Sequence, residues 1–324
     1  MAFSWRGRSV LLTGATGILG SWIAVELVRR RAKVTAVVRD HVVGSNFYRM
    51  ELERKIKIER GELENLSFLR RVINKNKVKD VLHVGAQAIV GAANRSPLPT
   101  FEANVRGSWN VLEACRLAKQ VERVVVASSD KAYGEGRKLP YTEETPLRGE
   151  HPYDVSKSCS DLVATAFYET YGLPVCITRC GNIYGGGDLN FNRIVPGTIR
   201  SLLKKERPII RSDGQYIRDY FYVKDAVDGY LVLAEAMEDE ALHGEAFNFS
   251  SGNHLKVVEI VEKIRRLMGL RLKPKILNQV SAEIREQTLS CEKAERILGW
   301  KPKYGLERGL KESIKWYRNY FRNA

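Results

Sequence analysis

Tyr153 and Lys157 lie four residues apart and form the first pair in the sequence that could carry out acid–base chemistry. They stand at the start of a segment with helical periodicity, so their side chains share one helix face. A free phenol has a pKa near ~10, which is too high for a base at neutral pH. Because a neighbouring ammonium stabilises the phenolate, the spacing predicts a lowered pKa for Tyr153. The pair could then remove a hydroxyl proton while hydride leaves the same carbon.

A second reactive group, Ser129-Asp130-Lys131, directly follows the valine-rich segment Arg123–Ala127, which reads as a strand. Ligands bind at the carboxyl ends of strands in open α/β sheets, so Ser129 is expected to hydrogen-bond the hydroxyl that Tyr153 deprotonates. Asp130 could act as an acid if its pKa is raised, and Lys131 as a base if desolvation keeps its amine neutral. The alternative is a simple salt bridge between Asp130 and Lys131 at the strand end.

Three glycines, Gly14, Gly17 and Gly20, separate a predicted strand, Ser9–Thr13, from a predicted helix. The first glycine lets the chain turn, the second lets backbone N–H groups approach a pyrophosphate, and the third lets the helix pack closely on the sheet. The positive end of the helix dipole then faces the phosphates. This context predicts a dinucleotide-binding loop.

Arg39 and Asp40 follow the second predicted strand, Lys33–Val38, and their side chains indicate which dinucleotide is bound. Asp40 could accept hydrogen bonds from the adenosine ribose, which favours NAD, whereas Arg39 could pair with the 2′-phosphate of NADP. We expect NAD, because the Asp40 carboxylate would repel the extra phosphate, and leave NADP as the alternative.

Strands and helices alternate along the first half of the chain, which predicts a doubly wound parallel sheet, a Rossmann fold. Two long helices are expected, Pro99–Ala118 and Tyr153–Tyr171. After about Gly185, glycines cluster and the helices become isolated. We therefore expect a Rossmann domain over residues 1–185 and a smaller, mixed α/β substrate-binding region over 186–324, with the chain able to cross back between them.

With these motifs in place, the chain resembles the extended short-chain dehydrogenase/reductase superfamily of nucleotide-sugar epimerases and dehydratases over essentially its whole length. The resemblance lies in Thr13–Gly20, His83–Gln87, Asn104–Gly107, Ser129, Tyr153 with Lys157, Arg179–Gly185 and Arg218–Asp225. It implies a tightly bound nicotinamide cofactor and a nucleotide-diphosphate sugar as substrate.

Within the superfamily, Asp130-Lys131 looks like the pair found in CDP-glucose 4,6-dehydratases. The resemblance implies that Tyr153 removes the carbon-4 hydroxyl proton, Lys131 takes the carbon-5 proton and Asp130 protonates the departing carbon-6 hydroxyl. The alternatives are a nucleotide-sugar 4-epimerase and a non-catalytic dinucleotide-binding regulator. The sequence departs from the family at Gly85, where alanine is usual, and after Gly187, so the nucleotide base stays open.

The site residues implied by the motifs and the resemblance fall into three groups. The catalytic residues are Ser129, Asp130, Lys131, Tyr153 and Lys157. The cofactor-binding residues are Gly14, Thr16, Gly17, Ile18, Gly20, Arg39, Asp40, Glu62, Leu63, Ala86, Gln87, Asn104, Tyr153 and Lys157. The substrate-binding residues are Gln87, Asn182, Arg193 and Arg218.

Composition excludes a disordered chain and a collagen-like chain. The chain has 324 residues, with 44% apolar and 28% charged residues, which is typical of a globular protein. The net charge of +15 is concentrated in residues 1–80 and 253–324, each with 17 basic and 8 acidic side chains, a net of +9. These segments show no nucleic-acid-binding motif, so we expect solvated helix faces and no nucleic-acid partner.

The remaining expectations concern membranes, metals, location and assembly. No apolar run approaches the ~20 residues of a membrane-spanning helix, so no membrane association is expected. The histidines show no metal-ligand spacing, and the five cysteines are few and widely spaced, which favours a cytoplasmic protein without a metal site. Both long helices carry apolar stripes, and the resemblance implies a homodimer through a four-helix bundle.

Overall fold

The computed structural model describes residues 3–136, 138–279 and 283–322. Strands and helices alternate through the first half of this chain. The strands are β1 Ser9–Thr13, β2 Lys33–Val38, β3 Lys57–Arg60, β4 Asp80–His83, β5 Arg123–Ala127, β6 Val175–Cys180, β7 Asn182–Tyr184, β8 Ile209–Ile210, β9 Ile217–Tyr222, β10 Ala246–Phe249, β11 His254–Lys256 and β12 Lys275–Ile276.

The helices cover both faces of the main sheet and build much of the second region. They are α1 Ile18–Arg29, α2 Asn46–Arg49, α3 Leu66–Lys75, α4 Val90–Arg95, α5 Leu98–Phe101, α6 Gly107–Arg116, α7 Pro152–Tyr171, α8 Ile194–Leu203, α9 Val223–Ala236, α10 Val257–Leu267, α11 Glu292–Leu298 and α12 Leu306–Arg322.

Seven strands form one parallel sheet in the order β3-β2-β1-β4-β5-β6-β10. Successive side chains of a strand point to opposite faces, and Leu11 and Leu12 of β1 belong to separate apolar clusters. Helices α1 and α9 pack on one face, and α3, α6 and α7 on the other. The predicted doubly wound Rossmann sheet is therefore confirmed.

The strand order reverses between β1 and β4, which is the topological switch point where ligands bind in such sheets. The loops after β1, β4 and β5 all open at this edge. They begin at Gly14, Val84 and Ser128, so the three sequence motifs that we singled out converge there.

The second half of the chain is divided between the main sheet and a smaller region. Strand β10 extends the seven-stranded sheet beside β6, and α9 packs against α1. The smaller region contains a three-stranded sheet, β11-β9-β7, a two-stranded sheet, β12-β8, and the helices α8, α10 and α12. The chain thus crosses back into the Rossmann layers before it completes the smaller region.

Two local features of the structure were not predicted. The helix predicted over Pro99–Ala118 consists of α5, a π-helical turn at Glu102–Arg106, and α6. Strand β9 was not expected, because charged side chains interrupt its apolar pattern: Arg218 and Asp219 are 5% and 0% exposed. Both exceptions lie beside the candidate site, where functional demands override local propensity.

None of the helices in the described part of the chain is long and apolar enough to cross a membrane.

Candidate active site

The glycine-rich loop joins β1 to α1 with its backbone drawn tightly together. Gly14 has a φ of +70°, and a Cβ atom on Gly20 would lie 2.1 Å from the Gly14 carbonyl oxygen. Gly17 is the N-cap of α1 and provides no side-chain hydrogen bond to the first turn. The free N–H groups and the positive helix end are what a pyrophosphate requires, so the loop fits a dinucleotide. Thr16 and Ile18 flank Gly17 in this cradle.

His83 ties the end of β4 to the end of β1. Its Nδ1 lies 2.8 Å from Thr13 Oγ1 and its Nε2 lies 3.1 Å from Ser108 Oγ. Thr13 Oγ1 also accepts a hydrogen bond of 2.9 Å from the Gly85 N–H. Burial, with a smaller effect of Lys157, lowers the pKa of His83 to about 3, so this imidazole is neutral and orients the loops.

Arg39 and Asp40 lie at the end of β2 and hydrogen-bond each other, Nε to Oδ2, at 2.7 Å. Both side chains are exposed. The Asp40 hydrogen bond is the main cause that raises the pKa of Arg39, and Glu64 and Glu62 add to it. The predicted ribose-binding corner therefore holds Asp40 against Arg39, with the negative charges of Glu62 and Glu64 near enough to affect that pKa.

Asn104 occupies the π-helical turn and fixes the loop after β4. Its Oδ1 accepts from the Gln87 N–H at 2.7 Å, and its Nδ2 donates to the Gln87 carbonyl at 3.0 Å. The same Nδ2 donates to Ser156 Oγ of α7 at 2.9 Å. The π-turn thus connects the Ala86-Gln87 loop with the helix that carries Tyr153, a use typical of π-helical turns near functional sites.

Glu62 and Leu63 follow β3 at the same edge of the sheet. The Leu63 carbonyl accepts a hydrogen bond of 3.1 Å from Asn110 Nδ2, and a Cβ atom at Gly85 would lie 3.1 Å from Leu63 Cδ1. Leu63 is therefore packed against the loop that follows β4, whereas the Glu62 side chain is exposed.

All five predicted catalytic side chains are buried, each at most 9% exposed. Ser129 Oγ donates to Asp130 Oδ1 at 3.0 Å and accepts from the Lys131 N–H at 3.2 Å. Lys157 Nζ donates to the Ala127 carbonyl at 2.7 Å, which anchors α7 to the end of β5. The carboxyl end of β5 and the first turns of α7 therefore bring the two sequence motifs to one place.

The ionisation of Tyr153 differs from the sequence prediction. Burial raises its pKa to about 12, and the opposing effects of Arg193 and of a hydrogen bond with Ser129 are smaller. Burial likewise lowers the pKa of Lys157 to about 8. The expectation of a lowered phenol pKa was wrong for the protein alone, since desolvation outweighs the nearby positive charge.

Asp130 and Lys131 lie in a short 3-10 turn and are shifted in opposite directions. Burial raises the pKa of Asp130 to about 6, against the opposing effects of Lys131 and Ser129. Burial also lowers the pKa of Lys131, and the positive charge of Arg218 adds to this effect. Both shifts move the pair toward a neutral acid beside a neutral amine.

Arg218 is the more deeply buried of the two arginines predicted to contact the substrate. Its Nη1 donates to the carbonyl groups of Ile217 and Arg285 at 2.9 and 3.1 Å. Its Nη2 lies 3.1 Å from Glu283 Oε1. The guanidinium is thus fixed in orientation beside the Asp130–Lys131 turn, whose pKa values it affects.

Arg193 is the N-cap residue of α8 and is more exposed than Arg218. Its Nη1 lies 3.3 Å from Asp188 Oδ2, and its Nη2 donates to the Ala88 carbonyl at 3.2 Å. Asn182 begins β7 and is partly exposed. The smaller region therefore brings both residues to the edge of the main sheet that holds the catalytic turn.

Comparisons with known proteins agree with this geometry. The family model of GDP-mannose 4,6 dehydratase matches residues 11–313. A CDP-glucose 4,6-dehydratase of Salmonella typhimurium is 32% identical, over 98% of this chain and 92% of that protein.

The chain belongs to the GDP-mannose 4,6-dehydratase family.

Solved structures of two kinds of enzyme resemble this member of the family. A dTDP-glucose 4,6-dehydratase of Bacillus anthracis in complex with NAD has a TM-score of 0.86 and 27% identity, with 97% of each chain covered. A UDP-glucose 4-epimerase of Thermotoga maritima with UDP-glucose has a TM-score of 0.88 and 27% identity, with 97% of this chain and 99% of that chain covered. The protein is thus an enzyme of the nucleotide-sugar dehydratase and epimerase kind.

Sequence reasoning missed three polar residues that surround Lys131 in this family member. Gln287 accepts a hydrogen bond from Lys131 Nζ at 2.9 Å. Glu283 pairs with Arg218, and Asp154 is buried beside Tyr153. Only Asp154 had a signal in the sequence, its position next to the tyrosine of the motif. The other two come from a distant segment without a recognisable pattern.

Gly20→Ala tests the phosphate loop. The added methyl group would clash with the Gly14 carbonyl, so we expect a loss of about 1–3 kcal/mol in the free energy of unfolding and a loss of dinucleotide binding. Gly305→Ala is the matched control, because nothing lies within 4 Å of its added Cβ. Chemical denaturation and calorimetric titration with NAD measure both effects. Unchanged NAD affinity in Gly20→Ala would contradict this assignment of the loop.

Proposed function

We propose that the protein is a 4,6-dehydratase that converts a nucleotide-diphosphate hexose into its 4-keto-6-deoxy product. The observation that carries this proposal is the buried Asp130–Lys131 pair, with the pKa of the acid raised and that of the amine lowered. A dehydratase needs an acid for the departing hydroxyl and a base for the carbon-5 proton, whereas a 4-epimerase needs neither. The curated relative at 32% identity is a dehydratase as well.

The proposed steps assign proton transfer to three of the five buried groups, Tyr153, Lys131 and Asp130. Tyr153 accepts the carbon-4 hydroxyl proton as a phenolate, a form that the positive charge of a bound oxidised nicotinamide would favour against the effect of burial, and Ser129 holds that oxygen by hydrogen bonding. Lys131 takes the carbon-5 proton with its neutral amine. Asp130 gives its proton to the carbon-6 hydroxyl, which leaves as water. When carbon 6 regains the hydride, Lys131 gives its proton back to carbon 5, and the proton taken up by Tyr153 is exchanged through solvent for the one that Asp130 lost, so that only water is lost overall. Lys157 positions α7 through its hydrogen bond to the Ala127 carbonyl.

The residues of the glycine loop and the ribose corner would hold the cofactor. Gly14 and Gly20 allow the tight loop that turns the start of α1 toward a pyrophosphate, and the negative charge of Asp40, Glu62 and Glu64 disfavours the additional phosphate of NADP. We therefore propose NAD, which a solved dehydratase neighbour also binds. When bound, it supplies a hydride acceptor and later returns the hydride to the sugar.

The substrate side of the site suits a nucleotide diphosphate. We assign Arg218 and Arg193 to the diphosphate, because a guanidinium can pair with phosphate oxygens in a bidentate manner. In the protein alone Arg218 pairs with Glu283 and Arg193 with Asp188, so a phosphate would replace or share these contacts. We assign Asn182 and Gln87 to the sugar-nucleotide as further polar contacts. CDP-glucose is the first substrate to test, because the relative at 32% identity is a CDP-glucose 4,6-dehydratase.

Product analysis tests the dehydration. The purified protein, loaded with NAD, is incubated separately with CDP-, UDP-, GDP- and dTDP-glucose and with GDP-mannose. We expect one of them to yield a 4-keto-6-deoxy sugar nucleotide, detected by mass spectrometry as loss of water and by NMR as a new methyl signal. Inversion at carbon 4 with the carbon-6 oxygen retained would instead show a 4-epimerase.

Lys131→Met separates the two chemistries within one protein. Removal of the base should lower the rate of dehydration by about 10²–10⁴-fold. Loss of hydride from carbon 4, followed as absorbance of the reduced nicotinamide, should persist. Lys293→Met on α11 is the control, since it removes a lysine that is also mostly buried but pairs with Glu245 outside the site. Undiminished dehydration by Lys131→Met would refute the assigned base.

We also propose a homodimer that pairs α6 and α7 with the same helices of a second copy. These helices pack on each other and leave large apolar side chains at the surface. Trp109 is 44% exposed, Leu162 58% and Tyr171 56%. Apolar side chains on adjoining helices support a four-helix bundle across a twofold axis.

Leu162→Glu tests this interface by placing a charge at its proposed centre. We expect the variant to elute as a monomer in size-exclusion chromatography with light scattering, whereas the unmodified protein elutes as a dimer. Ile297→Glu on α11 is the control, because Ile297 is 39% exposed but lies outside both helices. A Leu162→Glu variant that stays dimeric at micromolar concentration would place the interface elsewhere.

We propose a cytoplasmic location on the basis of the cysteines. All five are free thiols in the structure, and Cys115, Cys176 and Cys180 are buried. Persistent free thiols are typical of reducing compartments.

A further inference from the structure

Residues 283–290, which we name the strap, cross the candidate active site between two other segments. On one side the Ile217 N–H donates to the Arg285 carbonyl at 3.0 Å, and the Gln287 N–H donates to the Ile217 carbonyl at 3.2 Å. On the other side Tyr141 and the strap exchange two hydrogen bonds, from the Tyr141 N–H to the Thr288 carbonyl at 2.8 Å and from the Ser290 N–H to the Tyr141 carbonyl at 2.9 Å. The backbone of the strap is therefore held on both edges.

The same contacts join the strap to the turn that carries Lys131. Tyr141 stacks on Tyr133, the last residue of that turn, with ring centroids 4.9 Å apart. Its hydroxyl donates to the Gly134 carbonyl at 2.7 Å. Lys131 and the strap thus belong to one packed unit, although they are far apart in sequence.

Within this unit, Gln287 is fully buried and its Oε1 accepts the hydrogen bond from Lys131 Nζ at 2.9 Å. A lysine side chain has four rotatable bonds and loses much conformational freedom when its amine is held. The carboxamide is oriented with its carbonyl oxygen toward this amine. Gln287 Nε2 has no hydrogen-bond partner among the described residues.

We propose that Gln287 is a positioning residue that holds the Lys131 amine in place for proton abstraction and favours its protonated form over the neutral one. The kinetic part of this role rests on the proposed dehydratase function. The positioning itself is a property of the protein and can be measured without turnover.

The charges that face Lys131 come from four elements. Asp130 lies on the same turn, Arg218 on β9, Asp154 on α7 and Glu283 on the strap. The three carboxylates favour the ammonium form and the guanidinium opposes it. Gln287 adds a neutral acceptor, so its removal changes a hydrogen bond to Lys131 without changing the net charge of the pocket.

The test is a titration of Lys131 in the NAD-loaded protein with ¹³C-labelled lysine. The Lys131 resonance is identified by its loss in Lys131→Arg. Without the acceptor, the ammonium is less stable, so Gln287→Leu should move the Lys131 midpoint down by about one pH unit. Gln287→Glu adds a negative charge and should move the midpoint upward, which keeps the test decisive if the leucine variant folds poorly.

A matched control is available at the surface. Lys256 Nζ donates to Gln215 Oε1 at 3.0 Å, so Gln215→Leu removes an almost identical contact outside the site. This variant should leave the Lys131 midpoint unchanged. A midpoint in Gln287→Leu that equals those of the unmodified protein and of Gln215→Leu would overturn the proposal.

Kinetics provides the second readout, with the nucleotide sugar that the unmodified protein dehydrates. Gln287→Leu should lower kcat by about tenfold with little change in KM, and the acidic limb of its pH profile should move with the Lys131 midpoint. If Gln287→Leu changed only KM, or if the acidic limb of its pH profile did not move, the positioning role of Gln287 would be contradicted. If none of the nucleotide sugars is dehydrated, the proposed function fails. The titration midpoint of Lys131 in Gln287→Leu still tests whether Gln287 positions Lys131, because that measurement needs no turnover.

Discussion

Burial of an acid and an amine at adjacent positions is the constraint around which the site is organised. Asp130 and Lys131 are 2% and 7% exposed, although each would be better solvated as an ion in water. An ion pair and a neutral acid beside a neutral amine carry the same net charge, so desolvation can shift the balance between them. The neutral form is the one that can both protonate a leaving hydroxyl and accept a carbon-bound proton.

The surrounding elements hold this pair away from water and in one orientation. The carboxyl end of β5 sets the turn, α7 covers it with Tyr153, and β9 brings Arg218 beside it. The strap closes the remaining side with Glu283 and Gln287. The smaller region therefore does more than bind a substrate, because it supplies part of the electrostatic environment of the acid and the base.

Local motifs allowed most of the Rossmann fold and much of the site to be predicted. The glycine loop, the Ser129–Lys131 segment and the Tyr153–Lys157 pair are each read from a few consecutive residues, and strand ends must meet at the switch point. Gln287 could not be predicted in this way, since it lies 156 residues after Lys131 and no periodicity links the two. The pKa of Tyr153 was predicted in the wrong direction for a related reason. The four-residue spacing indicates that Lys157 is a neighbour, but it does not indicate how deeply Tyr153 is buried.

The ionisation of Asp130 is the most direct measure of the central claim. In protein labelled with ¹³C at the aspartate carboxyl carbon, the resonance that disappears in Asp130→Asn can be titrated with pH. Our account predicts a midpoint near pH 6, well above the ordinary value of 3.8, because burial penalises the carboxylate. A midpoint at or below 3.8 would mean that Asp130 is a stable anion beside a protonated lysine, and it would contradict the proposed acid.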